Sequence, residues 1–273
     1  METLVLENDF LRVNVAPQGA AILSLDALEY QQPILLAGDK ALFPMLPLAN
    51  RVAGNRFILQ GEEIALPPGT ADADFFLHGD GWLKEWQVVE QSAERVVLSL
   101  CSQYQCGFDY LARLTYQLAG KRFIAELELT HRGSKPMVYG LGFHPYFRLQ
   151  PDTQVQFFAS GFWPEGEQHL PLAWQGNVTQ QTDFTVSKIP ENAWLNVGYS
   201  GWNGRAFIHS GDMRILLECA TPYLMVFRMA DEPFICLEPQ SHPVNAHNLP
   251  GHPGLILLAQ GETTRLEMGI TVL

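Results

Sequence analysis

Apolar side chains occupy every second position in most segments of this chain. The longest alternating segments are residues 110–118 and 123–129, which flank a Gly120-Lys121 turn, and residues 266–272. Shorter segments of the same kind cover residues 11–15, 23–27, 57–66 and 96–100. A period of two is that of a β-strand with one buried face. No stripe with the period of a helix exceeds about two turns, which is short for a stable globular helix.

The turn residues indicate how these strands connect. Gly61 interrupts the alternation between residues 57 and 66, as in a hairpin, and a Gln260-Gly261-Glu262 turn precedes the last strand. Many strands, 23 glycines and 18 prolines are typical of an antiparallel sandwich or barrel. No linker, low-complexity tract or repeat divides the chain. We therefore predict an all-β, single-domain fold over residues 1–273, with a loop-rich stretch at residues 164–196.

The composition excludes several classes of partner. Apolar residues make up 47% and charged residues 17% of the chain, which is ordinary for a globular protein. A net charge of −12 argues against nucleic acid or an anionic membrane as the principal partner. The apolar runs are too short to cross a bilayer, and residues 1–8 lack the pattern of a secretory signal. We expect a cytoplasmic protein, and its oligomeric state is not predicted.

The cysteine pattern agrees with a reducing compartment. Cys101, Cys106, Cys219 and Cys236 show no CxxC spacing, and three of them lie in or beside apolar strand-like runs. The simplest interpretation is four buried free thiols in the cytoplasm.

One carboxylate stands out by its context. Glu238 ends the apolar run that begins at Phe234 and is followed by Pro239, as at the end of a buried strand that reaches a rim. Burial disfavours the charged form of a carboxyl group and raises its pKa toward neutrality. A carboxyl group of that kind is suited to act as a general base.

Two histidines have a similar context. His78 and His144 each follow apolar residues and precede a residue that bends the chain, Gly79 and Pro145 respectively. Because proline favours an extended conformation in the preceding residue, the imidazole of His144 is held in place and can give a proton near neutral pH. A structural capping role for His144 stays open, and His78 is equally consistent with a ligand contact or a hydrogen-bonded loop histidine.

Two further side chains are candidates for substrate binding. Arg51 lies in a polar connection that contains glycine and could donate paired hydrogen bonds to hydroxyl groups or to a carboxylate. Single-residue statistics favour a surface or structural role for it. Trp82 follows a Gly79-Asp80-Gly81 loop, and its indole could provide an apolar surface for the carbon face of a sugar.

Other types of chemistry have weaker support. His78, His144, Glu238, His242 or His247 could ligate a metal, but no HExxH motif or Cys/His pair spacing is present. Glycoside hydrolysis requires two suitably placed carboxylates, and Glu165 and Glu167 lie in a polar loop. No GxSxG motif or glycine-rich phosphate loop occurs. The residues therefore favour proton transfer without a metal or cofactor.

Taken together, these motifs resemble those of the aldose 1-epimerases, or mutarotases, over nearly the whole chain. The matching elements are Asn50-Arg51, Phe57, Leu77-His78-Gly79, His144-Pro145-Tyr146-Phe147, Glu238-Pro239-Gln240, His242-Pro243, Asn245-Ala246 and Asn248. The resemblance implies a galactose mutarotase-like β-supersandwich with the site in a cleft on one sheet. It also implies a sugar as the only small-molecule partner, and no cofactor.

The resemblance implies a role for each matching residue. Glu238 would take the proton of the anomeric hydroxyl, His144 would protonate the ring oxygen, and Arg51 and His78 would hold sugar hydroxyls. Members of the family often carry an aspartate where this chain has Asn196. An amide can donate and accept hydrogen bonds, whereas a carboxylate only accepts, so the preferred sugar is left open.

Two rival functions fit the same resemblance. A hexose-6-phosphate 1-epimerase would use the same chemistry but would need extra cationic groups, for which Arg56, Arg205 and Arg228 are available. A sugar-binding module without catalysis is the other rival, because a fold does not determine a function. The presence of both His144 and Glu238 argues against such a module.

Overall fold

The computed structural model of the protein describes residues 3–176 and 178–273. Met1 and Glu2, which belong to the N-terminal segment considered above, and Asn177, in the loop-rich stretch, lie outside the described residues. The described residues contain no α-helix. Their only helical segments are three 3₁₀ helices, Ala53–Asn55, Glu167–His169 and Ala246–Asn248. Accordingly, the described part of the chain has no helix long and apolar enough to span a bilayer.

The predicted all-β class is confirmed by 23 strands in the described residues. The first eleven are β1 (Leu4–Glu7), β2 (Leu11–Ala16), β3 (Ala21–Ala27), β4 (Gln32–Pro33), β5 (Pro44–Met45), β6 (Arg56–Leu59), β7 (Glu62–Ala65), β8 (Gln87–Gln91), β9 (Arg95–Gln103), β10 (Asp109–Ala119) and β11 (Arg122–His131). The others are β12 (Met137–Tyr139), β13 (Gly142–Phe143), β14 (Tyr146–Arg148), β15 (Gln154–Phe157), β16 (Gly161–Trp163), β17 (Leu195–Ser200), β18 (Arg205–Ser210), β19 (Met213–Cys219), β20 (Tyr223–Arg228), β21 (Phe234–Gln240), β22 (Ile256–Leu258) and β23 (Thr263–Val272).

Two large antiparallel sheets dominate the fold. The eight-stranded sheet has the order β15-β18-β19-β23-β11-β10-β9-β8. The seven-stranded sheet has the order β16-β17-β20-β21-β13-β5, and β14 also pairs with β21. A four-stranded sheet, β1-β2-β3-β4, and the pairs β6-β7 and β12-β22 complete the set.

The core lies between the inner faces of the large sheets. Leu114 and Leu127 of the eight-stranded sheet and Val226 and Leu237 of the seven-stranded sheet belong to one buried apolar cluster. Burying one such side chain stabilises the fold by about 1.5–3 kcal/mol. The alternation seen in the sequence is therefore the source of the sandwich, because it gives each long strand one apolar face.

The predicted hairpins form where glycine occurs. Gly120 and Lys121 connect β10 to β11, with Ala119 opposite Arg122, and the φ of Gly120 is +58°. Gly61 connects β6 to β7 with a φ of +86°. These values lie in the left-handed region, which glycine adopts without a steric penalty.

Two details of the sequence-based prediction were wrong. Leu23 does not share the buried face of Leu25: it is half-buried and Ile22 is buried, because the register between β2 and β3 shifts at a bulge beside Val15. Cys219 and Cys236 are buried as expected, but Cys106 is only half-buried and Cys101 is exposed. Cys101 is exposed because its side chain, like that of Ser99, points away from the buried face of β9. All four cysteines are free, as predicted.

The central strand β21 has two buried faces, and this arrangement positions the site. Every residue from Phe234 to Gln240 is buried. Ile235 and Leu237 belong to the apolar core. Since successive side chains of a strand point to opposite faces, Cys236 and Glu238 point away from the core, toward the outer face of the seven-stranded sheet.

Candidate active site

A cavity of about 260 Å³ lies on the outer face of the seven-stranded sheet. All six residues singled out in the sequence line it, namely Arg51, His78, Trp82, His144, Asn196 and Glu238. They come from five separate segments of the chain, with His78 and Trp82 in the same loop, so only the fold brings them together. A wider groove of about 690 Å³ lies elsewhere, but Arg122 and Arg205 there are both paired with Glu218. The smaller cavity is the better candidate because it holds buried titratable groups.

Glu238 and His144 form a buried pair at this cavity. The distance from His144 Nε2 to Glu238 Oε1 is 3.2 Å, and the two residues are only 6% and 2% exposed, respectively. The second carboxyl oxygen of Glu238 accepts a hydrogen bond of 3.2 Å from Gln240 Nε2, two residues along the same strand face. An acid–base pair is therefore in direct contact and largely shielded from bulk water.

Burial shifts the pKa values of the two groups in opposite directions. Desolvation raises the pKa of Glu238 to about 8, although the Gln240 hydrogen bond and the charge of Arg51 act against it. Desolvation lowers the pKa of His144 to about 3, so the near-neutral pKa expected for it from the sequence was wrong. Each group thus favours its neutral form. At neutral pH the pair holds one proton, which rests on Glu238 and can move to His144.

Aromatic rings hold the imidazole of His144. It stacks on Phe43 at 4.6 Å between ring centroids and on Tyr146 at 4.7 Å. Its backbone N–H donates to Phe43 O at 3.0 Å. These contacts fix the plane of the ring, so Nε2 is directed at the carboxyl group of Glu238.

His78 is held by its own loop through one ring nitrogen. Its Nδ1 accepts a hydrogen bond of 3.0 Å from the backbone N–H of Asn50. Nε2 therefore carries the proton of the neutral ring, and it has no hydrogen-bond partner among the described residues. Burial is the main cause that lowers the pKa of His78 well below its usual value, and electrostatic interactions with His144 and Arg51 lower it further. The ring is thus a neutral N–H donor at the cavity.

The loop that carries His78 has a fixed backbone. Gly79 has a φ of +69°, and a Cβ atom there would lie 2.1 Å from the carbonyl oxygen of Leu46. Asp80 is buried and accepts hydrogen bonds from Ser102 and Tyr110 of the neighbouring sheet. Glycine and a buried carboxylate therefore anchor this loop to the strands below it.

Trp82 already contacts two other side chains at the cavity. Phe43 stacks on its indole at a centroid distance of 5.0 Å, and Lys40 Nζ lies 4.0 Å from the ring centroid. The indole N–H donates to Leu77 O at 3.1 Å. The ring is fixed at the cavity wall, and its contact with a sugar stays a prediction.

Arg51 and Asn50 offer polar atoms without protein partners. Arg51 Nη2 donates to Asp72 Oδ2 at 3.2 Å, whereas its Nε and the Oδ1 of Asn50 are buried without a hydrogen bond. Both residues line the cavity. Because unpaired buried polar atoms are costly, these two atoms are suited to bind hydroxyl groups of a ligand. The sequence placed Asn50 in a motif but assigned it no role.

Strand register explains why Asn196 faces the cavity. Asn196 of β17 lies opposite Phe227 of β20, and Phe227 lies opposite Cys236 of β21. These three positions share the face of Glu238, which is two residues from Cys236. The amide nitrogen of Asn196 donates a hydrogen bond of 2.5 Å to Glu165 Oε1.

Several lining residues were not assigned from the sequence. They are Lys40, Phe43, Tyr146, His169, Trp194 and Phe227. Tyr146 belongs to the His144 motif, which was the one available signal. Lys40, Phe43, His169 and Trp194 lie outside the regular alternation, so no periodic pattern could indicate them.

Three atoms here could also ligate a metal ion. His144, Cys236 and Glu238 each offer one ligand atom, and these atoms lie within 4.8 Å of one another. Nitrogen, sulfur and oxygen in this combination suit Zn²⁺. The imidazole and the carboxyl group are, however, already paired with each other.

Comparisons with known proteins agree with this geometry. The sequence profile of the aldose 1-epimerase family matches residues 2–271. The Escherichia coli K12 protein YphB, which is described only as uncharacterized, is 35% identical and aligns over 100% of this chain and 99% of its own.

Solved structures show the same fold. One from Escherichia coli K12, provisionally described as an aldose 1-epimerase, superposes with a TM-score of 0.95 at 34% identity and covers 100% of this chain and 99% of its own. A GalM/aldose epimerase homologue from C. elegans gives a TM-score of 0.85 at 18% identity over 100% and 98% of the two chains. The predicted galactose mutarotase-like fold is confirmed, and the chain belongs to the aldose 1-epimerase family.

Proposed function

We propose that the protein interconverts the α and β anomers of a neutral aldose by acid–base ring opening and closing. The observation that carries this proposal is the buried pair of Glu238 and His144, 3.2 Å apart at the cavity. The anomeric oxygen and the ring oxygen of a cyclic aldose are bonded to the same carbon. An acid and a base that serve these two oxygens must therefore lie side by side, as these two groups do.

Ring opening starts from the ionic form of the pair. The Glu238 carboxylate takes the proton of the anomeric hydroxyl while His144 Nε2–H gives its proton to the ring oxygen. The bond between the anomeric carbon and the ring oxygen breaks, and its electron pair stays on that oxygen. The products are an open-chain aldehyde, a neutral imidazole and a protonated carboxyl group. The step involves no oxidation or reduction.

Ring closing starts from the neutral pair. Rotation about the bond between the first two carbons presents the other face of the aldehyde to the hydroxyl. His144 takes the proton of that hydroxyl as the ring closes, and Glu238 gives its proton to the carbonyl oxygen. Burial favours the neutral pair, so the open-chain intermediate meets the protonation state that it requires.

The other residues at the cavity would bind the sugar. Arg51 and Nε2–H of His78 donate to hydroxyl oxygens, whereas Asn50 Oδ1 and Asn196 accept from hydroxyl hydrogens. Trp82 supplies an apolar edge. This mixture of neutral and charged donors with neutral acceptors suits a polyhydroxyl ligand.

The distribution of cations supports a neutral substrate. Arg51 is paired with Asp72, Arg56 with Glu63 and Arg205 with Glu218. Arg228 lines a separate pocket. None of the three arginines considered for a phosphate lines the cavity.

A hexose-6-phosphate 1-epimerase is the second candidate. Lys40 lines the cavity, and no carboxylate of the described residues lies within ion-pair distance of it. Its ammonium group could bind a phosphate. We rank this candidate second because a single lysine that already lies over Trp82 is a weak phosphate site.

The proposal extends to location and domain organisation. Four free cysteines support a cytoplasmic location, because thiols persist in a reducing compartment. The continuous buried cluster of both large sheets supports a single domain over residues 1–273.

Polarimetry tests the proposal. Freshly dissolved α-glucose, α-galactose and glucose 6-phosphate each drift slowly to an equilibrium rotation. We expect the protein to accelerate this drift for a free aldose without changing its endpoint. A large preference for the 6-phosphate that fades steeply with salt would favour the second candidate. No acceleration with any aldose would leave a sugar-binding module as the function.

A further inference from the structure

A second polar cluster lies behind one wall of the cavity. Its centre is Glu165, which follows strand β16 by two residues and does not line the cavity itself. The carboxylate accepts hydrogen bonds from Asn196 Nδ2 at 2.5 Å, Trp194 Nε1 at 2.6 Å and His169 Nδ1 at 2.5 Å. All three donors line the cavity. One side chain thus organises three residues of the wall.

The charge on Glu165 is maintained by these donors. Burial alone would raise the pKa of Glu165, but the hydrogen bonds from Asn196, His169 and Trp194 hold it below its usual value. Glu165 is therefore ionised at neutral pH. An ionised carboxylate accepts hydrogen bonds and cannot donate them.

This property fixes which end of the Asn196 amide faces the ligand. Amide oxygen and nitrogen are nearly alike in shape, so the hydrogen-bond partner decides the orientation. Because Glu165 can only accept, the NH₂ group must point to it. The Oδ1 atom of Asn196 has no protein hydrogen-bond partner among the described residues. The amide therefore offers an acceptor to the cavity.

Glu165 also fixes the aromatic part of the wall. Trp194 lies just before β17, in a segment without strand pairing, and its indole N–H is bound to the carboxylate. The ring packs edge-on against Phe227 at 5.3 Å and lies 5.7 Å from His169. Without the carboxylate of Glu165, Trp194 and His169 would each lose the hydrogen bond that holds the ring in the wall.

We propose that Glu165 is a positioning residue that makes this wall selective for a sugar hydroxyl donor at Asn196 Oδ1. The inference rests on the proposed function and adds a determinant of specificity to it. The cavity therefore shows the sugar a neutral acceptor, with the negative charge placed behind it.

Glu165→Gln is the first test. The carboxylate accepts through both of its oxygens, whereas glutamine has one oxygen and one NH₂ group. At least one N–H of Asn196, His169 or Trp194 therefore faces the NH₂ group of glutamine and loses its acceptor. We expect KM for the best aldose to rise about tenfold, because Asn196 Oδ1 is no longer held toward the sugar and one hydrogen bond to the sugar is lost, while kcat stays within about threefold. Glu167→Gln is the matched control, because Glu167 is exposed in the same loop.

A reciprocal exchange tests whether Glu165 and Asn196 act as a pair. Asn196→Asp alone puts two carboxylates in contact and should weaken binding at least as strongly as Glu165→Gln. The double variant Glu165→Gln/Asn196→Asp restores a hydrogen bond of reversed polarity, and the cavity again sees an acceptor. We expect KM of the double variant to return to within about threefold of the wild type. If the increases in KM of the two single variants instead combine in the double variant, the proposal is overturned.

Monodeoxy analogues of the best aldose distinguish a role of Glu165 in substrate selectivity from a purely structural role. The wild type should discriminate by about tenfold in kcat/KM against the one analogue that lacks the hydroxyl bound by Asn196. Glu165→Gln should lose this discrimination and keep the others. Equal discrimination by both proteins would overturn the inference, even if the variant were less stable.

The outcomes separate this inference from the proposed function. If the wild type accelerates the anomerisation of no aldose, the proposed function fails. If the wild type is active and Glu165→Gln has a wild-type KM, only the present inference fails. The side-chain amide signal of Asn196 in a ¹H–¹⁵N spectrum is a readout without activity. It should shift in Glu165→Gln and stay in place in Glu167→Gln.

Discussion

Replacement of Glu238 by glutamine should make the protein less active and more stable at once. The amide keeps the size of the side chain and can still contact Gln240 and His144, but it cannot take a proton. Loss of one positioned base typically costs about 10²–10⁴ in rate, so kcat should fall by at least two decades. KM should change far less, because Arg51 and His78 are untouched.

The gain in stability follows from the raised pKa. Burial raises the pKa of Glu238 from its ordinary value of 4.5 to about 8 in the folded protein, so the folded state binds the proton more tightly than the unfolded chain does. The resulting contribution to stability is complete below the unfolded pKa and is lost as the pH rises through the folded pKa. The loss is about 3 kcal/mol at pH 7 and approaches about 5 kcal/mol above pH 8. Glutamine does not ionise and avoids it.

Urea unfolding followed by tryptophan fluorescence measures this difference, since the chain contains six tryptophans. The free energy of unfolding of Glu238→Gln minus that of the wild type should grow by about 1 kcal/mol per pH unit between pH 5 and 8. Glu232→Gln, which replaces an exposed carboxylate before the same strand, is the matched control. If the difference in the free energy of unfolding between Glu238→Gln and the wild type does not change with pH, and turnover stays near that of the wild type, the assignment of Glu238 as a buried base is refuted.

Three further predictions concern the same site. His144→Ala should lower kcat more than it raises KM in steady-state assays, and a raised KM with unchanged kcat would mark a binding residue instead. Because the pair must hold one proton, kcat/KM measured from pH 4 to 10 should be level and then fall above about pH 8; a rise through pH 9 would contradict this. Gly79→Ala should lower the melting temperature and raise KM, since its Cβ would meet the carbonyl of Leu46; unchanged values would show that the loop tolerates a Cβ.

The fold was largely predictable because alternation reports directly on one-sided burial. Residues 110–118, 123–129 and 266–272 became the buried faces of β10, β11 and β23. The bulge beside Val15 was not predictable, since a bulge depends on pairing between strands and not on the pattern within one. The exposure of Cys101 was not predictable, because cysteine counts as an apolar residue and the sequence alone does not show that its side chain points to the exposed face of the strand.

The candidate site was predictable only in part. Glu238, His144, His78 and Arg51 stand in local contexts of strand ends and turns, which a sequence displays. The contacts of Glu165 with Asn196, and of Asp72 with Arg51, join residues 31 and 21 positions apart through irregular segments. No periodicity connects such residues, so only the folded chain shows that they are partners.

Exchange between the two anomers at chemical equilibrium reports directly on ring opening by Glu238 and His144. In an equilibrated solution of an aldose, saturation of the α-anomeric proton in an NMR experiment reports on the rate of its conversion to the β form. We expect rapid transfer of saturation in the presence of the wild type at neutral pH, and none above background with Glu238→Gln. Equal transfer with both proteins, or none with the wild type for any aldose, would contradict the assignment of Glu238 and His144 as the pair that opens the ring.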